Sequence, residues 1–201
     1  MPSKSLSFGE KITGFLGNPN KTFNNVEKEN WKQSFKFYAV LLPISVILGT
    51  VLTYLLFPQA FSQSYFYLPF APLVVLVLGI VITYVSDLVM TFVGSAWLHL
   101  WVKAVGGKKG YWQTYKAGAY SSTPLLLLGW IPIVGGLIFG IWSLVLNIFG
   151  LMRLQKISGG RAVAAVLLAI FIAAIIIVAI LVVWIFTVGL PYFMSQASYP
   201  Y

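Results

Sequence analysis

Cysteine is absent from this chain of 201 residues, and acidic residues are scarce, with four Asp and Glu in total. Without cysteine there can be no disulfide framework, no thiolate metal site and no thiol nucleophile. A zinc site needs three or four ligands within reach, and a chain with one histidine and four carboxylates is a poor source of such a set. The sequence therefore predicts no metal site, no catalytic residue and no cofactor.

Charge of either sign is also sparse, because charged residues make up 8% of the chain and hydrophobic residues 59%. This composition is typical of a chain whose solvent is lipid, and it predicts an all-α integral membrane protein. The net charge of +9 could suggest nucleic acid, but the basic residues lie at predicted helix ends beside Trp and Tyr rather than along one soluble face. We therefore expect anionic lipid headgroups as partners, at about 1 kcal/mol per basic residue near the surface, and no nucleic acid.

The basic residues fall into three short stretches that are separated by long uncharged runs. The connections at 57–69, 131–136 and 190–201 contain no Lys or Arg. Since basic residues stay on the cytoplasmic side of a membrane, this alternation predicts a cell-membrane protein with its amino terminus inside and its carboxyl terminus outside. The stretches consist of Lys4, Lys11, Lys21, Lys28, Lys32 and Lys36; Lys103, Lys108, Lys109 and Lys116; and Arg153, Lys156 and Arg161.

Five apolar runs are each long enough to cross the hydrocarbon, which takes about 20 helical residues. The run from 111 to 130 is the shortest and contains Pro124, so a re-entrant hairpin is an alternative to a full crossing. Both of its flanks are basic, and the topology is the same under either interpretation. The predicted membrane domain covers residues 34–190, with spans at about 34–57, 70–102, 111–130, 133–152 and 162–190, followed by an outer tail at 191–201.

Residues 1–33 form a polar segment that is punctuated by apolar residues at helical spacing. Ser7 and Glu10 fit a capping box, Asn18-Pro19 should end the first helix, and a second is expected from about Lys21 to Trp31. We interpret both as interfacial helices on the inner leaflet. A cytoplasmic cap that packs on the loops is the alternative.

Asp87 is the one acidic residue beyond Glu29, and it lies near the middle of the second span. An unpaired charge at that depth costs about 2.5–3.5 kcal/mol on insertion scales, so the carboxyl group must be neutral, paired or in contact with water. A structural role, locking helices through hydrogen bonds, and a role as a proton or cation site are both open. The candidate intramembrane polar site consists of Asp87, Tyr84, Thr91, Tyr120, Ser121 and Asn147.

Two further patterns concern partners. Gly136 and Gly140 form a small-xxx-small pair, which lets two helix backbones approach closely, either within the chain or between copies. The basic residues that flank the later spans are predicted to contact lipid headgroups. They are Lys103, Lys108, Lys109, Arg153, Lys156 and Arg161.

The stretch from Leu98 to Ile157 resembles the Yip family, multi-span membrane proteins named in eukaryotes as interactors of Ypt/Rab GTPases. The residues that carry the resemblance are Gly106-Gly107-Lys108-Lys109-Gly110-Tyr111-Trp112-Gln113-Thr114, Ala119-Tyr120-Ser121-Ser122-Thr123-Pro124, Ile131-Pro132-Ile133-Val134-Gly135-Gly136, and Ile141-Trp142 leading to Gly150-Leu151. The resemblance implies a five-span, amino-inside fold over about 17–190. The long amino-terminal region and the Asp-Leu-x-Gly-Pro element of the eukaryotic members are absent, so the resemblance is to compact, prokaryotic-type relatives and gives no support for Rab binding.

Two function hypotheses follow. The first is a non-enzymatic scaffold or organiser that shapes or marks the membrane and recruits a membrane-protein partner or a second copy. The second is a small transporter or channel in which Asp87 is an intramembrane proton or cation site. Because intramembrane polar groups are few, the sequence favours the scaffold.

Overall fold

The computed structural model of the chain describes residues 6–57 and 72–197, and the regular structure within those ranges is helical throughout. The predicted outer connection between the first two spans lies largely outside the described residues, as do the first two residues of the predicted second span and the last four of the predicted tail.

The amino-terminal segment folds into two short helices, α1 (Phe8–Gly17) and α2 (Pro19–Val26). The predicted capping box of α1 is confirmed: Ser7 N donates to Glu10 Oε2 at 2.7 Å, and Glu10 N donates to Ser7 Oγ at 3.3 Å. Asn18 caps α2, which therefore begins two residues earlier than predicted, at Pro19. It also ends earlier, at Val26, and Trp31 belongs to the next helix.

Within the described residues, four helices are long and apolar enough to cross a membrane: α3 (Trp31–Leu56), α4 (Pro72–Ala104), α7 (Val134–Leu154) and α8 (Gly159–Trp184). They cover four of the five predicted spans to within a few residues. α3 continues through Pro43 without a break, and α8 continues through a π-helical turn (Ile185–Gly189) into α9 (Leu190–Ala197). The described part of the predicted tail is thus helical.

The predicted span at 111–130 differs from the other four, because it consists of two shorter helices, α5 (Tyr111–Ser121) and α6 (Thr123–Leu128). Pro124 lacks an N–H group, and its ring clashes with the preceding turn of a continuous helix. Three hydroxyl groups donate to the carbonyls at the break, which is how a broken helix is tolerated away from water. The bonds are Ser121 Oγ to Gly118 O at 2.9 Å, Ser122 Oγ to Gly118 O at 3.0 Å and Thr123 Oγ1 to Tyr120 O at 2.6 Å.

A tight hairpin joins α6 to α7 at the position that the breaker residues predict. Ile133 has a positive φ of 65° immediately before α7. Gly135 allows the two arms of the hairpin to approach each other, since a Cβ atom there would lie 2.5 Å from the carbonyl oxygen of Leu128. We call this side of the molecule the hairpin end. The opposite side, where residues 103–110 and 153–161 lie, is the basic end.

Helix α5 is the centre of the bundle, because it packs against α3, α4 and α7. The two amino-terminal helices with the turn that follows them, residues 6–30, form a cap over the basic end, in which α2 packs on α7 and α1 touches α6. Two side chains of the cap, those of Phe15 and Phe23, are fully buried. One face of the cap thus packs on the bundle, and its position on the inner leaflet stays a prediction.

Candidate functional sites

A buried ion pair joins the cap to the bundle. Lys11 Nζ lies 2.8 Å from Glu29 Oε2, and the two side chains are only 10% and 9% exposed. The hydroxyl group of Tyr120, on α5, donates a hydrogen bond to the same carboxylate oxygen. One carboxylate therefore connects α1, the end of the cap and the central helix.

Lys116 makes a second buried connection between the cap and α5. Its side chain is 2% exposed, and Nζ donates to the backbone carbonyls of Glu27 and Glu29, each at 2.8 Å. The last carbonyls of a helix have no partner within the helix, and a cation close to them also interacts favourably with the helix dipole. Lys116 thus supplies donors just after the end of α2.

Aromatic rings surround these charges. Phe15 stacks on Tyr120 with ring centroids 5.0 Å apart. The ring of Phe23 lies 4.9 Å from that of Phe15, and the ring of Phe37 lies 5.3 Å from that of Tyr120. In this apolar setting each charge depends on its partner, because an unpaired buried ion is strongly unfavourable. We call Lys11, Glu29, Lys116 and Tyr120 the cap junction.

The structure divides the predicted intramembrane polar site among three places. Tyr120 belongs to the cap junction. Ser121 and Asn147 meet between α5 and α7, where Asn147 Nδ2 donates to Ser121 Oγ at 3.2 Å. Asp87, Tyr84 and Thr91 lie on the side of α4 that faces α3, where Tyr84 donates to the carbonyl of Ala39 at 3.2 Å.

Asp87 lies in a groove of about 340 Å³ between α3 and α4. Tyr38, on α3, is close enough to Asp87 for the two groups to interact electrostatically, and Thr91 lies near the Tyr38 hydroxyl group. The groove, hereafter the Asp87 groove, is lined by Ser45, Val46, Gly49, Thr50, Thr53, Gly79, Thr83 and Asp87. Hydroxyl groups in such a groove can hold water or a small polar ligand against the carboxyl group.

The six basic residues that are predicted to contact headgroups are all exposed at the basic end. Two of them also bind the cap: Lys156 Nζ lies 2.6 Å from Glu27 Oε1, and Arg153 donates to Asn20 Oδ1 at 3.4 Å. The side chain of Arg161 reaches the loop after α4, where a Cβ atom on Gly106 would lie 3.4 Å from Nη1. These six exposed residues therefore form one basic surface beside the cap.

Sequence reasoning missed the cap junction, although a signal for it was present. Three of the four acidic residues precede the first span, and Lys116 stands inside a predicted span. A lysine within an apolar run needs a partner. The three acidic residues that precede the first span were candidates for that partner. Their pairing depends on how the cap folds back, which no local pattern specifies.

A family model described as the Yip1 domain matches residues 13–182 of the chain. The match includes part of the cap, the helices from α3 to α7 and most of α8. No curated protein and no solved structure shows a match.

Proposed function

The chain belongs to the Yip1 family of multi-pass membrane proteins, and from that premise we propose that it is a non-enzymatic membrane scaffold whose cap is a rigid platform for partners on the cytoplasmic side. The observation that carries this proposal is the cap junction. A cap fixed by a buried ion pair and by Lys116 keeps one geometry relative to the spans, and a fixed geometry is what a recruiting surface needs.

In this proposal the chain crosses the membrane five times, with α5 and α6 together as the third crossing. Gly49 of α3 lies beside the hairpin, since a Cβ atom there would be 3.8 Å from Cβ of Trp130. Trp31 and Trp112, at the start of α3 and α5, stack with centroids 4.3 Å apart. From Trp31 to Gly49, α3 rises about 27 Å at 1.5 Å per residue. The α5–α6 pair thus covers about the same distance, close to the hydrocarbon thickness of about 30 Å, and the cap lies beside the part of it around Tyr120.

The orientation follows from charge. The basic end carries the cap and the exposed lysines and arginines, so we place it in the cytoplasm of the cell, against anionic headgroups, and the carboxyl terminus outside. Because the native chain has no cysteine, single substitutions allow a clean test with an impermeant thiol reagent on intact cells. We expect Lys109→Cys and Ser158→Cys to be protected and Ser198→Cys to be labelled. Labelling of Lys109→Cys from outside would contradict the topology.

The recruiting role is tested by cross-linking from Lys28, which is exposed on the cap. Lys28→Cys in native membranes, treated with a thiol-reactive cross-linker, should give one discrete heavier species. Adding Glu29→Leu, which removes the carboxylate of the cap junction, should abolish that species at equal protein level. Cross-linking that is unchanged by Glu29→Leu, or a ladder of unrelated adducts, would argue against a rigid platform.

The Asp87 groove supports a second candidate function, a small transporter or channel that uses Asp87 as a proton or cation site. Hydroxyl groups and one carboxyl group line a space of about 340 Å³, which would give a cation polar contacts within the span. We expect the scaffold instead, so that proteoliposomes show no proton, Na⁺ or K⁺ flux above that of empty vesicles.

Substitution of Asp87 separates the two functions. If its role is structural, Asp87→Asn should be tolerated, whereas Asp87→Leu should lower stability because a buried polar group left without a partner costs about 1–3 kcal/mol. The measurements are ion flux in proteoliposomes and thermal unfolding in detergent. Flux in the wild type that disappears in a stable Asp87→Asn variant would establish the transporter in place of the scaffold.

A further inference from the structure

A second groove, of about 570 Å³, lies between α4 and α7 over the break between α5 and α6. A hollow of about 270 Å³ adjoins it on the α8 side and shares Gly94, Leu98, Leu144 and Asn147 with it. We call the larger space the small-residue groove. It is lined by Met90, Thr91, Gly94, Ser95, Leu98, Gly118, Ser121, Ser122, Leu125, Gly136, Leu137, Gly140, Ile141, Ser143, Leu144 and Asn147.

Three of the four glycines that line this groove have room in front of them; the exception is Gly118, where a Cβ atom would lie 3.3 Å from Ser95 Oγ. A Cβ atom on Gly94, Gly136 or Gly140 would meet no atom within 4 Å. The pair Gly136 and Gly140 therefore faces open space rather than a neighbouring helix of the described chain. Small residues in membrane helices serve to let another backbone approach closely, and here the described residues supply no such backbone.

Two polar atoms at the groove also lack partners. Asn147 Oδ1 and Ser143 Oγ are both buried, and neither has a hydrogen bond within the described residues. The amide group of Asn147 is held in place by its Nδ2 bond to Ser121, at 3.2 Å, so its carbonyl oxygen is fixed with a free acceptor. A buried acceptor without a donor costs about 1–3 kcal/mol, and a ligand that brings a donor would recover it.

We propose that the small-residue groove binds one transmembrane helix of another membrane protein, with a face of small residues and a hydroxyl or amide donor at the depth of Asn147. No charged residue lines the groove, so the helix is uncharged where it binds. From Gly136 to Asn147 the groove is about 16 Å long, or three helical turns. This surface is separate from the cap, and the inference stands whether or not the cap recruits partners.

An acyl chain fits the groove less well, because hydrocarbon has no donor for Asn147 or Ser143. A second copy of the chain also fits less well. The helical segment that is exposed on every side is 174–188, in α8 and the π-helical turn, whereas Asn147 lies at the level of Ala169, which lines the same hollow. In a second copy with the same orientation, this exposed segment would begin at least five residues, about 8 Å, beyond the level of Asn147, toward the hairpin end. It would therefore not reach Asn147.

The test uses disulfide cross-linking between the full chain in proteoliposomes and a synthetic helix. The probe is an apolar peptide of about 20 residues with one Gly-xxx-Gly pair, one Ser at the depth of Asn147 and one Cys. Leu137→Cys places the thiol on the groove lining, and Ile138→Cys places it on the adjacent, lipid-facing position of α7. We expect the peptide to cross-link much faster at 137 than at 138, because only the thiol at 137 lies on the groove lining.

The controls assign that signal to the groove. In the Leu137→Cys background, Gly140→Leu should abolish cross-linking by filling the groove, and Asn147→Leu should reduce it about tenfold. Ala174→Leu, on the exposed part of α8, adds similar bulk and should have no effect; thermal unfolding verifies that each variant is folded. Equal reaction at 137 and 138, no reaction with the probe, or equal reaction with a peptide that has Leu in place of Gly and Ser would overturn the proposal. Rapid formation of Leu137→Cys homodimers without peptide would assign the groove to a second copy instead.

Discussion

The basic end and the hairpin end of this molecule are packed in different ways. At the basic end, charged and aromatic side chains interlock: Phe23, Tyr115 and Tyr120 have no exposed surface, and Lys116 is 2% exposed. Beyond this bundle, every residue from 174 to 188, in the second half of α8 and the π-helical turn, is exposed. The same chain thus has a closely packed half and a half whose surroundings are the bilayer.

The difference shows which forces position each half. Apolar side chains gain little from leaving lipid for protein, so a membrane helix needs polar contacts or close packing to fix its place. The basic end has both, in the cap junction and in the aromatic rings around Phe15. Along residues 174–188, α8 has neither, which leaves it free to tilt or to meet lipid and partners. Function that depends on fixed geometry therefore belongs at the basic end and in the grooves.

The largest effect is expected at the cap junction. Glu29→Leu removes the carboxylate that pairs with Lys11 and accepts from Tyr120, and it leaves the buried ammonium group of Lys11 without its counter-ion. Breaking a buried pair from one side costs about 3–5 kcal/mol. We expect a much lower thermal unfolding midpoint in detergent, and faster thiol labelling of Val26→Cys, which is fully buried in the cap.

Glu27→Leu is the matched control for that change. Glu27 also pairs with a lysine, Lys156, but these side chains are 37% and 50% exposed. Exposed ion pairs contribute about 0–1 kcal/mol, so both readouts should stay close to those of the wild type. Equal losses from the two substitutions would mean that burial of the Lys11 pair has no special role.

The contrast between the two halves predicts unequal effects of the same side-chain truncation. Leu151, on α7 at the basic end, is fully buried, and Leu151→Ala should cost about 2–5 kcal/mol through loss of packing. Ile177 is 57% exposed on α8, and Ile177→Ala should stay within about 0.5 kcal/mol of the wild type. Chemical denaturation in mixed micelles measures both. Comparable losses would indicate that residues 174–188 are packed against a partner, such as a second copy.

Much of the fold could be predicted from sequence because the signals are local. The apolar runs gave four spanning helices close to their observed bounds, and the breakers at Trp130-Ile131-Pro132 gave the hairpin. The break within 111–130 was signalled by Pro124, although its position at Ser122 depends on which hydroxyl groups satisfy the freed carbonyls. The second cap helix was placed too late, because Asn30 caps α3 instead of extending α2.

The candidate sites were less accessible to sequence reasoning, because they depend on which helix faces meet. Asp87 and Asn147 were recognised as polar residues at membrane depth. The helical periodicity of the sequence does not say that Asp87 faces α3 or that Asn147 lies beside α5. Lys11 was counted as one base among many, and its burial against Glu29 requires the cap to fold over α5. Long-range pairing of this kind is specified by packing rather than by motif.

The smallest effect that sharpens the comparison concerns two glycines on α7, ten residues apart. At Gly150, on the basic end, an added Cβ atom would lie 2.9 Å from Cζ of Phe23 and 3.0 Å from Cβ of Ala117, so α2 and α5 must move. Gly150→Ala should therefore cost about 1–3 kcal/mol by overpacking. At Gly140 the same atom meets nothing within 4 Å, and Ala gains up to about 1 kcal/mol of helix propensity. Gly140→Ala should leave the unfolding midpoint unchanged or raise it, and should leave Val26→Cys protected from labelling. A loss at Gly140 equal to that at Gly150 would mean that the small-residue groove is already closed by a helix of the protein itself.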